Sequence, residues 1–131
     1  DCIATDHAPH TLAEKHSVSP PPGVSGLETS LPLMIPAVQN GRLALPRLIE
    51  LMHTNPRRIF NLPAQPDTQV EVEMTPTTIR NENLYTKCGW TPFDGREVAG
   101  RVSRVVLRGE VVFENGRFPV VPEHGRLIRQ P

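Results

Sequence analysis

Proline limits the folding of this chain more than any other residue, because it fixes φ and has no backbone N–H to donate. The 131 residues include 15 prolines, about twice the usual share of roughly 5%. Much of this proline lies in connecting segments, as in the run Pro20-Pro21-Pro22. The sequence therefore predicts short helices that prolines start or interrupt, separated by long connections.

The composition is that of a globular protein, and its charge balance does not indicate a strongly charged binding partner. Lysine and arginine together number 14, as do aspartate and glutamate, so the formal net charge is zero. A neutral chain has no electrostatic reason to bind nucleic acid or a membrane surface. No apolar run approaches the roughly 20 residues that cross a bilayer, and no secretory signal opens the chain. We therefore expect a cytoplasmic protein that binds neither nucleic acid nor membrane.

The first part of the chain reads as a short strand followed by a long connection. Residues 1–5 are mostly apolar, which is typical of a strand that is covered on both faces in a parallel sheet. Cys2 would be a small buried hydrophobe within that strand. Residues 6–26 are rich in proline, serine and glycine, and connections of this length usually carry function. Because Asp1 lies inside the predicted strand, we expect the chain to be a piece of a larger protein.

A helical pattern follows this connection. Apolar residues recur at helical spacing over residues 27–39, where Pro32 and Pro36 are expected to kink or break the helix. The pair Asn40-Gly41 suits the left-handed end of a helix. The pattern therefore predicts one interrupted helix that ends at a glycine.

Two shorter helices are predicted next, and each has a proline at its first position. The first covers residues 46–53 and starts at Pro46. The second has Asn55 as its N-cap and Pro56 at its first helical position, and it ends near Asn61. The residues expected to face inward are Leu48, Ile49 and Met52.

The rest of the chain has the pattern of strands. Apolar residues alternate with glutamates over residues 70–74, which predicts a strand with a solvated glutamate side. A further strand is expected at 77–79, and residues 102–107 and 111–113 flank the turn 108–110 as a hairpin. A strand, a long loop and helices before a β-rich end indicate an α/β fold. In α/β barrels the chemistry lies at the C-terminal ends of the strands.

The residues best suited to chemistry follow the predicted opening strand. Asp6, His7 and His10 place one carboxylate and two imidazoles within five residues. The carboxylate can ligate a metal and take a proton from water that the metal binds. An imidazole can donate a hydrogen bond to an anionic substrate. An aspartate at a strand end is more often an N-cap or turn residue, and for His7 a structural hydrogen bond is favoured over a ligand role.

A series of motifs in one order resembles the final catalytic segment of the dihydroorotases. The motifs are Asp6-His7-Ala8-Pro9-His10-Thr11, Pro20-Pro21-Pro22-Gly23, Gly26-Leu27-Glu28-Thr29, Asn55-Pro56-Arg57-Arg58-Ile59-Phe60 and Trp90-Thr91-Pro92-Phe93-Asp94-Gly95. Together they cover nearly the whole chain. The resemblance is greatest to the dihydroorotase domain of multifunctional animal-type pyrimidine-synthesis proteins, which also carry carbamoyl-phosphate synthetase and aspartate carbamoyltransferase.

The resemblance implies a fold and a reaction. Residues 1–62 would be the C-terminal segment of a (β/α)8 amidohydrolase barrel, and residues 63–121 part of an appended small β-domain. Residues 122–131 would be a tail or linker. Trp90 and Phe93 are expected to pack the β-rich end against the barrel. The reaction would be the zinc-dependent interconversion of N-carbamoyl-L-aspartate and L-dihydroorotate in de novo pyrimidine biosynthesis.

The resemblance also implies a role for each candidate site residue. Two zinc ions would bridge a hydroxide, and Asp6 would ligate zinc and shuttle the proton. His10 would bind the substrate carboxylate, while the backbone at Pro22 and Gly23 would line the other edge of the substrate. The family's His-x-His pair, carboxylated lysine and remaining metal histidines have no match in this sequence. The isolated chain is therefore expected to be inactive and to bind zinc poorly.

Two alternatives to dihydroorotase stay open. Another cyclic amidohydrolase, an allantoinase or a hydantoinase, would share the barrel and the strand-end aspartate, although His10 and the proline-rich stretch favour dihydroorotase. An inactive dihydroorotase-like scaffold is a second alternative, and the presence of Asp6 and His10 speaks against it. The resemblance further implies a homo-oligomer. It leaves open whether the parent protein is monofunctional or fused to the two other enzymes.

Overall fold

The computed structural model describes residues 1–121 and 123–128 of the chain. Helices lie in the first half, up to Ile59, and strands lie in the second half, from Gln69 to Glu114. This order is the mixture of helix and sheet that the sequence predicts. No helix in these two ranges is both long and apolar enough to span a membrane.

The strand predicted at residues 1–5 is wrong, because these residues adopt no strand structure. The backbone N–H of Ile3 donates instead to the carbonyl oxygen of Leu51, a residue of the helical half, at 3.0 Å. A strand forms only by pairing with another strand, and no strand of the described residues lies beside this segment. Cys2 is accordingly half-buried and not the fully buried hydrophobe expected.

The long connection predicted at residues 6–26 is present, and it folds back on itself. It contains one short helix, α1, which spans Leu12–Lys15. The backbone N–H of Ala8 donates to the carbonyl oxygen of Val24 at 3.0 Å. His7 and Val24 also form an isolated parallel bridge. The beginning and the end of the connection therefore lie side by side.

Helix α2, Ser30–Gln39, confirms the helix predicted at residues 27–39, with a later start. Pro32 lies in its first turn, where a backbone N–H would have no intrahelical acceptor. Pro36 lies inside the helix. The helix ends at Asn40-Gly41 as predicted, and Gly41 has a φ of 68°, a conformation that favours glycine.

The two shorter helices predicted after α2 form one continuous helical run. Helix α3, Leu45–Ile49, leads through a π turn at Glu50–Thr54 into helix α4, Asn55–Ile59. The prediction that Asn55 is an N-cap is wrong, because its φ of −70° and ψ of −46° are helical. Its N–H donates to the carbonyl oxygen of Glu50, which closes the wider π turn. This turn directly precedes Pro56, whose missing N–H interrupts the regular ladder of hydrogen bonds.

The strands in chain order are β1 (Gln69–Glu73), β2 (Thr77–Thr78), β3 (Glu97–Val98), β4 (Arg101–Leu107) and β5 (Glu110–Glu114). Strands β1, β4 and β5 form an antiparallel sheet in the order β1-β4-β5, and β2 pairs with β3. Arg108 and Gly109 join β4 to β5 with φ of 53° and 80°. A two-residue turn of type I′ needs positive φ at both positions. The predicted hairpin and strands are confirmed.

The buried apolar residues lie mainly where α2 packs against β3 and β4. Ile35 of α2 and Val98 of β3 are each 5% exposed. Leu48 is buried as predicted, at 4% exposed, whereas Ile49 is 50% exposed and its predicted inward position is wrong. Consecutive helical residues point about 100° apart, so the packing that buries Leu48 turns Ile49 outward.

Candidate active site

Asp6 lies at the start of the long connection with its side chain exposed. Its φ is 46°, in the left-handed region. Positive φ is uncommon outside glycine, and such strained residues cluster at functional sites. The carboxylate does not cap the nearest helix, because the N-cap of α1 is Thr11. Asp6 is therefore a strained, exposed carboxylate that an ion or a substrate can reach.

His7 has the structural hydrogen bonds that the sequence analysis favours. Its Nδ1 accepts from the backbone N–H groups of Gly26 and Leu27, each at 3.2 Å. A ring nitrogen that accepts carries no proton, so the proton of a neutral His7 is on Nε2. His7 thus ties the start of the connection to its end, and its Nδ1 is not available to a metal.

His10 is half-buried, and its main chain is held from the second half of the chain. The indole Nε1–H of Trp90 donates to the carbonyl oxygen of His10 at 2.6 Å. Trp90 therefore lies against the connection that carries Asp6 and His10, which confirms the predicted packing of Trp90 between the two halves.

Pro22 and Gly23 lie against the segment between Asp6 and His10. Pro22 is exposed and Gly23 is half-buried with a φ of 93°. A Cβ on Gly23 would lie 2.5 Å from the Cβ of Ala8, which is closer than real side chains approach. The absence of a side chain at Gly23 therefore allows the proline-rich stretch to reach the backbone beside the two candidate site residues.

Two further contacts hold the middle of the connection. Lys15 Nζ donates to the carbonyl oxygen of Pro21 at 2.6 Å. The Glu14 carboxylate accepts from the Thr11 backbone N–H and hydroxyl at 2.6 and 2.8 Å. The hydrogen bonds from the Thr11 hydroxyl and backbone lower the pKa of Glu14, and the charge of His10 lowers it further. Glu14 is thus a fixed carboxylate that orders the loop.

A second group of contacts joins Ser25, at the end of the connection, and the nearby Glu28 to the second half of the chain. The Ser25 hydroxyl donates to the carbonyl oxygen of Trp90 at 2.5 Å. The Glu28 carboxylate accepts from the backbone N–H groups of Tyr85 and Thr86 at 2.9 and 2.5 Å. The partners lie between 57 and 65 residues apart in sequence. No local spacing of residue types indicates contacts of this kind.

The described residues do not bring a complete metal site together. Among them, no group of three or more histidines, cysteines, aspartates or glutamates is placed to hold a metal ion. A catalytic zinc needs about three protein ligands. Asp6 has the chemistry and the exposure to supply one of these ligands.

Comparison with known proteins shows what the chain is similar to. The chain matches no family model. It is 60% identical over 130 residues to multifunctional protein pyr1-3 of Dictyostelium discoideum, and 52% identical over 130 residues to multifunctional protein CAD of Squalus acanthias. It is 39% identical over 135 residues to the dihydroorotase of Pyrococcus furiosus. The chain is thus similar over nearly its whole length to a segment of a dihydroorotase and to a segment of two multifunctional proteins.

These matches cover most of the chain but only part of each relative. Each of the three covers 98% of this chain. They cover 6% of each multifunctional protein and 32% of the Pyrococcus furiosus dihydroorotase. The chain thus spans about a third of the length of the Pyrococcus furiosus dihydroorotase.

Parts of solved structures share the fold of this chain. D-hydantoinase (dihydropyrimidinase) from Thermus sp. matches 99% of the chain with a TM-score of 0.82 and 25% identity, over 32% of its own length. L-hydantoinase from Arthrobacter aurescens matches 75% with a TM-score of 0.70 and 32% identity, over 24% of its length. An inactive dihydroorotase-like domain of a Chaetomium thermophilum CAD-like protein matches 88% with a TM-score of 0.67 and 31% identity, over 33% of its length. The segment therefore has the fold of part of an amidohydrolase.

Proposed function

We propose that this chain is the segment of a dihydroorotase that carries its catalytic aspartate. The enzyme would interconvert N-carbamoyl-L-aspartate and L-dihydroorotate in de novo pyrimidine biosynthesis. The observation that carries the proposal is Asp6, a strained and exposed carboxylate on a loop that folds back beside it. It lies in a chain that is 39% identical to a dihydroorotase. The isolated segment is expected to be inactive.

The proposed placement in the enzyme follows the order of elements. We assign residues 1–62, which contain the helices, to the end of a (β/α)8 barrel, and residues 63–121, which contain the strands, to part of a small β-domain. The TM-score of 0.82 to a D-hydantoinase supports this division, because that match covers 99% of the chain. Residues 122–131 would form a tail or linker. Of these, 122 and 129–131 lie outside the described residues.

Asp6 would move the proton in the reaction. When dihydroorotate is hydrolysed, water adds to the amide carbonyl carbon, and the Asp6 carboxylate accepts the proton that the water loses. As the C–N bond breaks, the same carboxyl returns a proton to the departing nitrogen. Ring closure is the reverse. Asp6 would be ionised for one step and protonated for the other.

His10 and the proline-rich stretch would hold the substrate. An imidazole N–H of His10 can donate to the substrate carboxylate, with its main chain fixed by Trp90. Pro22 offers only a carbonyl oxygen, whereas Gly23 also offers an N–H. Together these groups match a cyclic amide, which presents both a donor and an acceptor at its edge.

Asp6 would also be one ligand of a catalytic metal, for which we propose zinc. Bound zinc would make a nucleophilic water available near neutral pH. The exposed carboxylate of Asp6 fits a ligand role, and the other ligands would come from sequence outside this chain. Two relatives, at 60% and 52% identity, are multifunctional proteins, which supports a fused parent with carbamoyl-phosphate synthetase and aspartate carbamoyltransferase. A homo-oligomeric state stays a prediction.

Replacing Asp6 tests the proposal. In the full-length enzyme, Asp6→Asn is expected to lower kcat with dihydroorotate by about 10²–10⁴-fold or more, because an amide cannot accept and return the proton. The measurement is steady-state turnover of dihydroorotate. Near-normal turnover by this variant would contradict the assignment.

Asp67→Asn is the matched control for this experiment. Asp67 is also exposed and has a left-handed φ of 55°, but it lies outside the connection. Its replacement makes the same chemical change at a similar backbone conformation. It is therefore expected to leave kcat unchanged.

A hydantoinase-type activity is the second candidate, since two of the structural matches are hydantoinases. It has less support than dihydroorotase, because the sequence identities to the multifunctional proteins are higher. The inactive scaffold likewise rests on one structural match at 31% identity. Assaying the full-length protein with dihydroorotate, hydantoin and allantoin separates the three. Turnover of dihydroorotate alone supports the proposal, turnover of another ring favours the second candidate, and no turnover favours the scaffold.

A further inference from the structure

Among the described residues, one side chain from outside the connection hydrogen-bonds to the main chain of His10. This side chain belongs to Trp90. Its indole N–H donates to the His10 carbonyl oxygen at 2.6 Å, across 80 residues of sequence. The donor belongs to a rigid, half-buried ring, so its position is set by few torsions. A bond of this kind limits how the backbone at His10 can rotate.

The backbone around Trp90 is itself fixed from two sides. The buried Ser25 hydroxyl donates to the Trp90 carbonyl oxygen at 2.5 Å. The next residue, Thr91, is 4% exposed, and its N–H donates to Asn81 Oδ1 at 2.8 Å. Its hydroxyl also donates to the carbonyl oxygen of Ser25 at 3.4 Å. The indole is therefore presented to His10 from an anchored backbone.

We propose that Trp90 is a positioning residue for substrate binding, and that it acts by fixing the backbone of His10. Because the carbonyl of His10 is held, the backbone sets the direction in which the imidazole points. The imidazole is then already placed to donate to the substrate carboxylate when the substrate binds. Correct positioning before binding lowers the cost of ordering the site. This inference rests on the proposed function, in which His10 binds that carboxylate. Trp90 itself does not touch the substrate.

Trp90→Phe in the full-length enzyme tests the inference, because phenylalanine keeps an aromatic ring and removes the N–H. KM for dihydroorotate is expected to rise about tenfold, the typical effect of losing one hydrogen bond. The kcat is expected to change by less than about threefold, since Asp6 is untouched. A fall in kcat with KM unchanged would overturn the inference.

A double variant distinguishes positioning through His10 from a general structural role. If Trp90 acts through His10, the variant Trp90→Phe with His10→Ala has the same KM as His10→Ala alone. If the increases in KM of the two single variants multiply in the double variant, Trp90 acts elsewhere and the inference is overturned. Tyr85→Phe is the matched control. It removes a hydroxyl that donates to the Gly116 carbonyl oxygen at 3.1 Å, outside the connection, and KM should not change.

Ser25→Ala provides a second route if Trp90→Phe does not fold. It removes the hydrogen bond that anchors the Trp90 carbonyl, so the indole is kept but its backbone is less firmly held. A rise in KM in the same direction supports the inference, and an unchanged KM overturns it. Failure of the unmodified enzyme to turn over dihydroorotate would instead refute the proposed function, so the two failures are distinguishable.

Discussion

Asp6 and Gly23 both hold left-handed backbone conformations, with φ of 46° and 93°. Glycine adopts this conformation without steric cost. For Asp6 the strain is about 1–3 kcal/mol, and it persists only where surrounding contacts hold it. The hydrogen bonds that His7 Nδ1 accepts, and the one that the Ala8 N–H donates, close the loop around both residues. Asp6, with its strained backbone, and Gly23, with no side chain, thus belong to one folded loop.

Gly23→Ala is expected to damage this loop. The new methyl group would lie 2.5 Å from the Cβ of Ala8, so the proline-rich stretch must move away from the backbone beside Asp6. Overpacking of this kind costs about 1–3 kcal/mol. We expect a lower melting temperature and a higher KM for dihydroorotate in the full-length enzyme, measured by thermal unfolding and steady-state kinetics.

Gly41→Ala is the control for Gly23→Ala, because it adds backbone strain without a steric clash. Gly41 has a similar left-handed φ of 68°, and a Cβ there would meet nothing within 4 Å. It lies at the end of α2, away from the loop. Its replacement is expected to cost some stability and to leave KM unchanged. Equal changes in KM for the two variants would show that the contact with Ala8 does not shape the site.

Helix α1 is a very short helix that side-chain hydrogen bonds at its N-terminus hold in place. Helices of four residues have almost no stability of their own, so α1 depends on its ends. The Thr11 hydroxyl accepts from the Glu14 N–H at 3.2 Å, and the Glu14 carboxylate accepts in return from Thr11 at 2.6 and 2.8 Å. This capping box fixes the segment that follows His10.

The capping box predicts a pH dependence. Hydrogen bonds from the Thr11 hydroxyl and backbone lower the pKa of Glu14 below its ordinary 4.5. A lowered pKa in the folded state means that the stabilisation is fully present above about pH 4.5 and is lost as pH falls through the folded value. The difference in melting temperature between the wild type and Glu14→Gln should therefore be constant near neutral pH and vanish in acid. A difference that grows as pH falls would contradict this.

The control for this titration is Glu82→Gln. Glu82 is an exposed glutamate in the short 3₁₀ turn Asn81–Asn83 and takes no part in the α1 cap. Its replacement changes the net charge by the same amount. The melting temperatures of wild type and control should run parallel over the whole pH range.

Across the whole molecule, the sequence predicts the features that local chemistry determines. The end of α2 and the turn at 108–110 contain Gly41 and Gly109, which adopt positive φ without steric cost, and both features are confirmed. Residues 1–5 do not form the predicted strand, because strand formation depends on neighbours and not on apolar composition. The hydrogen bond from the Trp90 N–H to His10 joins residues that are 80 apart in sequence, and no local sequence pattern predicts it.

The described part of the chain leaves much apolar surface uncovered. Leu27 is 62% exposed, Phe60 54% and Val70 52%. An open cavity of about 1030 Å³ lies between α2 and the sheet, with Leu31, Val105 and Phe113 among its lining residues. Contiguous apolar surface of this kind is rare on stable monomers and normally packs against other protein. This pattern agrees with a chain that spans about a third of the Pyrococcus furiosus dihydroorotase.

The exposed surface predicts how the isolated segment behaves. A 131-residue chain with few buried apolar residues is expected to unfold with low cooperativity and to bind a hydrophobic dye such as ANS strongly. We expect the rest of the full-length enzyme to cover this surface, so per mole the enzyme should bind much less dye and unfold sharply. Fluorescence titration and calorimetry of both proteins at equal concentration measure this difference. Sharp unfolding of the isolated segment with no dye binding would mean that its core is sufficient, and that the cavity beside α2 closes without the rest of the enzyme.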